Sequence, residues 1–169
     1  MMLRTERLCF EAWQTEDKAL LFELHSDPRV QTAYVPDPKK WTMAGIERRL
    51  NGYMNEHARF GITKWKLKLP DGTFIGRAGW SPWEENSLEI GYAIKPEFWR
   101  NGYASEAAFA LVSWAKVHHP PNELVGFALP DNLGSRRVLE KIGMKFSDFR
   151  EIAGASFAYY TIRHDQQST

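Results

Sequence analysis

The chain has 169 residues, 43% of them hydrophobic and 25% charged, and its 22 Lys and Arg against 21 Asp and Glu leave a net charge of +1. One domain spanning residues 1–169 is the expectation at this length, and the usage is globular, which excludes a disordered, collagen-like or membrane-embedded chain. A charge so near zero argues against bulk electrostatic capture of nucleic acid or an anionic membrane, and a lone Cys9 excludes an intrachain disulfide or a multi-cysteine zinc site.

Leu8, Phe10 and Ala12 alternate with Cys9, Glu11 and Trp13, which predicts a strand with Cys9 buried. Residues 16–25 read as a helix with Thr15 as its cap, and residues 42–57 as a second helix with Ile46, Leu50, Tyr53 and Met54 on one face. Residues 63–69 and 74–80 read as strands joined across Pro70, Asp71 and Gly72, an Asp-Gly hairpin signal. Residues 88–94 read as a strand, 104–117 as the clearest helix, 124–129 as a strand and 135–142 as a short helix stopped by Gly143. Strands over 145–152 and 156–163 close the chain. The order predicts a mixed α/β (α+β) sheet of six to seven strands with helices packed on both faces, and a parallel crossover over 88–129. No leader-like apolar run opens the chain, and the longest apolar stretch, 107–115, is half a membrane span. A cytoplasmic protein is the simplest expectation.

The segment 94–107 carries the chemistry: a strand ends, a tight loop follows and a helix begins. Such a helix N-terminus has free N–H groups and a partial positive charge, so it suits an anion. Gly102 allows close approach of the backbone, and Ala104 is small at the same mouth. A pyrophosphate would sit on the amides of Arg100, Asn101, Gly102, Tyr103, Ala104 and Ser105. The Rossmann and Walker glycine patterns are absent.

The run Trp99-Arg100-Asn101-Gly102-Tyr103-Ala104-Ser105-Glu106-Ala107 resembles the core motif of the GCN5-related N-acetyltransferase (GNAT) superfamily in its RimJ/RimL-like branch, with Arg100 where that branch usually has Gly. The opening Leu3-Arg4-Thr5-Glu6-Arg7-Leu8, the central Glu89-Ile90-Gly91-Tyr92 and the segment from Asn132 through Ser135 and Lys141 to Gly143 and Met144 are similar to the same branch. The resemblance implies the GNAT fold, with acyl-CoA bound where two central parallel strands splay apart. It implies transfer of acetyl from acetyl-CoA to a primary amine, at a protein N-terminus or on a small molecule, by direct attack in a ternary complex without a metal.

By the same resemblance, main-chain groups at Tyr92, Ala93 and Ile94 bind pantetheine and polarise the thioester carbonyl. Asn132 contacts the pantetheine arm or simply caps a helix, and Arg137 approaches a CoA phosphate or faces solvent. Glu89, beside the proposed thioester, is the candidate base. Ser135 is a candidate proton donor or thiolate contact, in a helix where many members of the superfamily use a tyrosine and this chain has none. An α-amine with a pKa near 7.8 costs about 1 kcal/mol to deprotonate at neutral pH, whereas a lysine costs about 4.6 kcal/mol, so an N-terminal acceptor needs only a mild base. Trp80, Trp83, Glu84 and Glu85 offer rings and carboxylates suited to an ammonium group, and residues 35–59 are expected to form one substrate wall. A non-catalytic acyl-CoA-binding sensor or assembly module is the alternative function. Either a monomer or a homodimer fits.

Overall fold

The computed structural model describes residues 3–34, 41–84 and 86–163. Its strands are β1 (Cys9–Glu11), β2 (Lys64–Lys68), β3 (Phe74–Pro82), β4 (Ser87–Ile94), β5 (Glu123–Ala128), β6 (Lys145–Ile152) and β7 (Ala155–Arg163). They form one sheet in the order β1-β2-β3-β4-β5-β7-β6. Neighbours are antiparallel except β4 and β5, which run parallel. The helices are α1 (Lys18–Ser26), α2 (Pro28–Tyr34), α3 (Met43–Phe60), α4 (Tyr103–His118) and α5 (Leu133–Lys141). This is the mixed sheet the sequence predicts, with α4 as the crossover that a parallel pair requires.

Local chemistry places the boundaries. Thr42 Oγ1 accepts from Gly45 N–H at 3.0 Å and starts α3, which stops at Gly61 in the left-handed conformation. Asp71 Oδ1 accepts from Thr73 N–H at 2.9 Å in the β2–β3 turn, where Gly72 has φ +90°. Two apolar clusters sandwich the sheet. One joins Leu21, Leu24, Ile46, Leu50, Tyr53, Phe74 and Ala93 on the α1 and α3 face. The other joins Ile75, Ala78, Trp80, Ile90 and Tyr92 to Ala107, Leu111 and Leu139 on the α4 and α5 face.

One irregularity in β3 sets which residues face which cluster. Leu67 pairs with Gly76 and the next residue, Lys68, with Phe74, so β3 holds one extra residue there. Phe74 faces α3 and Ile75 faces α4, and after the bulge Ala78 and Trp80 face α4 again. Arg77, paired with Lys66 and Ala93, therefore falls on the α3 face. Gly76 has φ +152°, and a Cβ there would stand 2.1 Å from the Ala93 carbonyl oxygen, so only glycine fits.

Three expectations are corrected. The helix α2 was not foreseen: Asp27 Oδ1 accepts from Arg29 N–H at 2.9 Å and Pro28 opens the helix, but seven residues are too few to show an apolar period. Thr15 does not cap α1. A 3-10 turn over Thr15–Asp17 leads in, and Asp17 Oδ2 accepts from Gln14 N–H at 2.8 Å. Cys9 is half-buried rather than buried, because alternation in the edge strand β1 sends Leu8 and Phe10 inward instead.

Candidate active site

Pairing of β4 with β5 covers Ser87 with Glu123, Leu88 with Leu124 and Glu89 with Val125, and then stops. Beyond Glu89, β4 pairs with β3, and β5 with β7, so the sheet divides between its two parallel strands. A cavity of about 710 Å³ opens at this division. Its walls come from α3 on one side of the sheet, from α5 on the other, and from the ends of β4 and β5 between.

On the α3 side, Lys64 Nζ lies 2.6 Å from Glu89 Oε2, with both side chains nearly buried. The same ammonium donates to Ser81 Oγ at 2.8 Å, and Ser81 Oγ donates to Glu56 Oε2 at 3.4 Å. Gly91 clears the floor for the lysine stem, since a Cβ there would stand 2.2 Å from Lys64 Cε, and opposite it Gly79 lets the β2 backbone close in, a Cβ there meeting the Thr63 carbonyl oxygen at 1.9 Å. Burial raises the Glu56 pKa above the ordinary carboxylate value, against the pull of Lys64. Farther along the same wall stand Arg77, Arg49, Tyr34 and Tyr53.

On the α5 side, Tyr92 crosses the division. Its hydroxyl lies 3.0 Å from both the Ser135 carbonyl oxygen, to which it donates, and Ser135 Oγ. Burial holds the Tyr92 hydroxyl well above the ordinary phenol range, so it stays protonated. The Tyr92 carbonyl accepts from the Tyr34 hydroxyl. In an extended strand a residue's N–H and C=O point to the same edge, so the Tyr92 N–H also faces the division. Asn132 caps α5, its Oδ1 accepting from Ser135 N–H at 3.0 Å, and its Nδ2 donates to the Ala33 carbonyl at 3.0 Å. It is both the cap and a tie between α5 and α2.

The loop into α4 is a tight turn. Arg100 and Gly102 have φ +63° and +79°. Asn101 closes the turn, its Nδ2 donating to the carbonyls of Phe98 and Trp99 at 3.1 and 3.0 Å. Tyr103, Ala104 and Ser105 form the first turn of α4, whose leading N–H groups have no helical acceptor. Arg7 braces the mouth: its Nη1 donates to the Asn101 carbonyl at 3.1 Å, its guanidinium lies 4.6 Å over the Tyr103 ring, and its Nη2 is 2.6 Å from Glu106 Oε2. The Arg100 and Arg137 side chains are both exposed, with no ion pair among the described residues.

The structure thus gathers Glu89, Tyr92 and Ser135 around one cavity and sets the turn from Arg100 to Ser105 at the head of α4. Other sequence assignments change. By the same alternation the Ala93 main chain is turned toward β3, while Tyr92 and Ile94 face the division, where the Ile94 carbonyl accepts from Trp99 Nε1 at 2.7 Å. Trp80 lies in β3, fully buried under α4 and away from the α3 wall, so it offers no ring to an ammonium group. Trp83 donates through Nε1 to the Tyr159 hydroxyl at 3.1 Å and packs 5.3 Å from Phe127, so it backs the wall rather than lining it. Glu84 is exposed in the β3–β4 turn and does not line the cavity. Glu85 and residues 35–40 lie outside the described residues, while Trp41, Gly45, Gly52 and Tyr53 of the expected wall do line it. Lys64, Ser81, Arg77 and Tyr34 carry no sequence assignment, and Glu56 enters only as part of the expected 35–59 wall. They are spread over α2, α3, β2 and β3, and no local motif joins them. Among the described residues no group of three His, Cys, Asp or Glu could hold a metal, and no helix is long and apolar enough to cross a membrane.

A family model described as an acetyltransferase (GNAT) domain matches residues 7–145. The chain belongs to this family of acetyltransferases, and the divided sheet is its GNAT fold. It is 32% identical over 156 residues to the uncharacterized protein YkkB of Bacillus subtilis, covering 86% of each chain. A GNAT-family acetyltransferase from Bacillus anthracis superposes with a TM-score of 0.80 at 26% identity, over 96% of this chain and 98% of that one. The fold is also that of RimL, a ribosomal L7/L12 α-N-protein acetyltransferase solved in complex with coenzyme A, with a TM-score of 0.84 at 15% identity over 98% and 99% of the two chains.

Proposed function

We propose that the protein transfers acetyl from acetyl-CoA to a primary amine by direct attack while both are bound. The observation that carries this reading is the cavity through the divided sheet, with carboxylates on its α3 side and the Tyr92–Ser135 hydroxyl pair on its α5 side. Acetyl-CoA supplies the acyl group as a thioester. The residues present fit it: the turn from Arg100 to Ser105 and the α4 amides offer a phosphate cradle, with Arg100 and Arg137 free to add charge. The Tyr92 N–H faces the division and supplies a donor where charge develops on the carbonyl oxygen. Ser135 Oγ, held beside the Tyr92 hydroxyl, is the group placed to give a proton to the departing sulfur. Holding both reactants in place supplies much of the acceleration.

Glu89 accepts the proton of the incoming ammonium, directly or through a water, with Lys64 fixing its orientation. A specific observation favours a second assignment, Glu56: Lys64 already occupies Glu89 Oε2, and burial raises the Glu56 pKa toward the working range. Glu89→Gln should depress kcat/KM most at low pH if Glu89 is the base. If that ratio to wild type is flat across pH while Glu56→Gln loses the acid limb, the role belongs to Glu56.

The function itself is tested by thiol release from acetyl-CoA against a panel of amines, with product masses confirmed. Acetylated amine is the expected result, and acetyl-CoA binding without turnover on any amine would favour a sensor. Gly102→Glu places a carboxylate and a strained φ of +79° at the phosphate cradle. Calorimetric titration should show acetyl-CoA affinity falling about 100-fold or more, since like charge and lost anion contacts act together. Unchanged affinity in a folded variant would remove the loop from the site.

A further inference from the structure

On the α3 face three cations among the described residues, Lys64, Lys66 and Arg77, are buried or nearly so, and two of them are matched. Lys66 Nζ lies 2.6 Å from Asp17 Oδ2, and Lys64 Nζ 2.6 Å from Glu89 Oε2. Arg77, 5% exposed, has no carboxylate partner among the described residues. Its Nε donates to His25 Nε2 at 3.2 Å, and its Nη1 is buried without any hydrogen-bond partner. An unmatched buried charge is costly, and a fold keeps one where a ligand completes it.

The surroundings of Arg77 add charge of the same sign. Arg49 also has no carboxylate partner among the described residues: its Nη1 donates to the Tyr53 hydroxyl at 3.1 Å, and its guanidinium lies 4.7 Å from the Trp41 ring centre. The Arg77 guanidinium carbon is 5.8 Å from the ring centres of both Tyr34 and Tyr53, and all of these residues line the cavity. Burial resists ionisation of Tyr53, yet Arg77, Arg49 and Lys64 outweigh it and pull the phenol below its ordinary value. His25 is pulled down to about 2 by burial and by the two arginines, so it stays a neutral acceptor that steadies Arg77 without cancelling its charge.

We propose that Arg77 and Arg49 receive a carboxylate of the acceptor, so that the substrate is an amino acid or similar small amine bearing a carboxylate a few bonds from its nitrogen. This rests on the reading of the cavity as an amine acetylation site. The planar guanidinium fork matches a carboxylate. The pairs Arg77–Ala93, Gly79–Gly91 and Ser81–Glu89 follow one another along the strands, placing the arginine end of the wall about 13 Å of backbone from the Glu89 end. A polyamine would meet repulsion from the arginines instead.

The test compares matched acceptors: methionine with methioninamide, phenylalanine with phenylalaninamide, then a Ser-starting peptide and spermidine. The carboxylates should exceed their amides by about 100-fold in kcat/KM, the factor a lost charged hydrogen-bond set yields, with the difference mainly in KM. Arg77→Gln should collapse the acid-to-amide ratio toward one while acetyl-CoA affinity, read by calorimetry, holds. Arg49→Gln, at a half-buried position, should lower the ratio about 10-fold and serves if Arg77→Gln does not fold. A readout independent of turnover is heat protection of the wild type with CoA by N-acetylmethionine, absent with N-acetylmethioninamide. Equal use of acids and amides by the wild type, equal protection by both products, or a ratio that survives both substitutions would overturn the proposal. Amine acetylation without carboxylate preference would sink this inference alone. Loss of acetyl-CoA binding in the wild type would sink the transfer reading and this inference with it.

Discussion

His25 shows how one buried side chain couples the site to the stability of the whole chain. In the unfolded chain it titrates at its ordinary 6.5, while burial, Arg77 and Arg49 keep it neutral in the fold down to about 2. Below 6.5 the unfolded state takes up a proton that the folded state refuses, so stability falls as pH falls. The slope is on the order of 1 kcal/mol per pH unit. His25→Gln keeps an acceptor for Arg77 Nε but cannot titrate. Thermal unfolding between pH 7 and 4.5 should therefore lose part of its acid slope in the variant, and an unaltered slope would mean that other groups carry it. Residue-scale chemistry of this kind was the least legible in the sequence. Glu89 and Ser135 could be picked out because each sits in a motif beside a predicted element end. Lys64, Glu56 and Arg77 could not, because their meaning comes from neighbours on other elements and, for Arg77, from one bulged residue.

The elements themselves were legible where local chemistry decides them. The Asp71-Gly72 turn, the Thr42 start of α3 and the Gly143 stop after α5 are backbone demands written in residue type, and the structure meets each of them. The short α2 was not, since a helix of seven residues is held by its contacts more than by its own periodicity. Asn132 is the point where such contacts can be tested. Asn132→Ala removes the α5 cap and the bond to the Ala33 carbonyl together, at about 1 kcal/mol for the cap alone. Asn132→Asp keeps an acceptor for Ser135 N–H but has no donor for Ala33. Chemical denaturation should place the aspartate between alanine and wild type. An aspartate as stable as the wild type would show that the α2 tie contributes nothing.

At the scale of the molecule, the first residues of the chain reach across to the head of α4. Thr5 Oγ1 donates to Glu106 Oε1 at 2.5 Å and Arg7 Nε to Glu106 Oε2 at 2.7 Å. Burial resists the Glu106 charge, but the bonds from Thr5 and Arg7 outweigh it and hold the carboxyl below its ordinary value. That stabilisation is present above the ordinary carboxylate range and is lost as pH falls through the lowered value. Glu106→Ala should cost about 1–3 kcal/mol of unfolding free energy by denaturant titration and weaken acetyl-CoA binding as well, since the same Arg7 holds the Asn101 carbonyl of the cradle. Destabilisation with full acetyl-CoA affinity would separate the brace from the site.

The bulge at Gly76 has a consequence for how such a family can diversify. A sheet reads out its sequence like a two-sided page, and every ordinary substitution edits only the side on which it is written. One extra backbone unit turns the page for every residue after it. With the same residues in unbroken alternation from Phe74 and Ile75, the Arg77 guanidinium would instead fall in the apolar layer under α4 and Ala78 would come to the cavity. The receptor for an anion would vanish without any arginine being replaced. Chains that differ by a single residue in this strand, and agree everywhere else that a motif would notice, would then choose different acceptors.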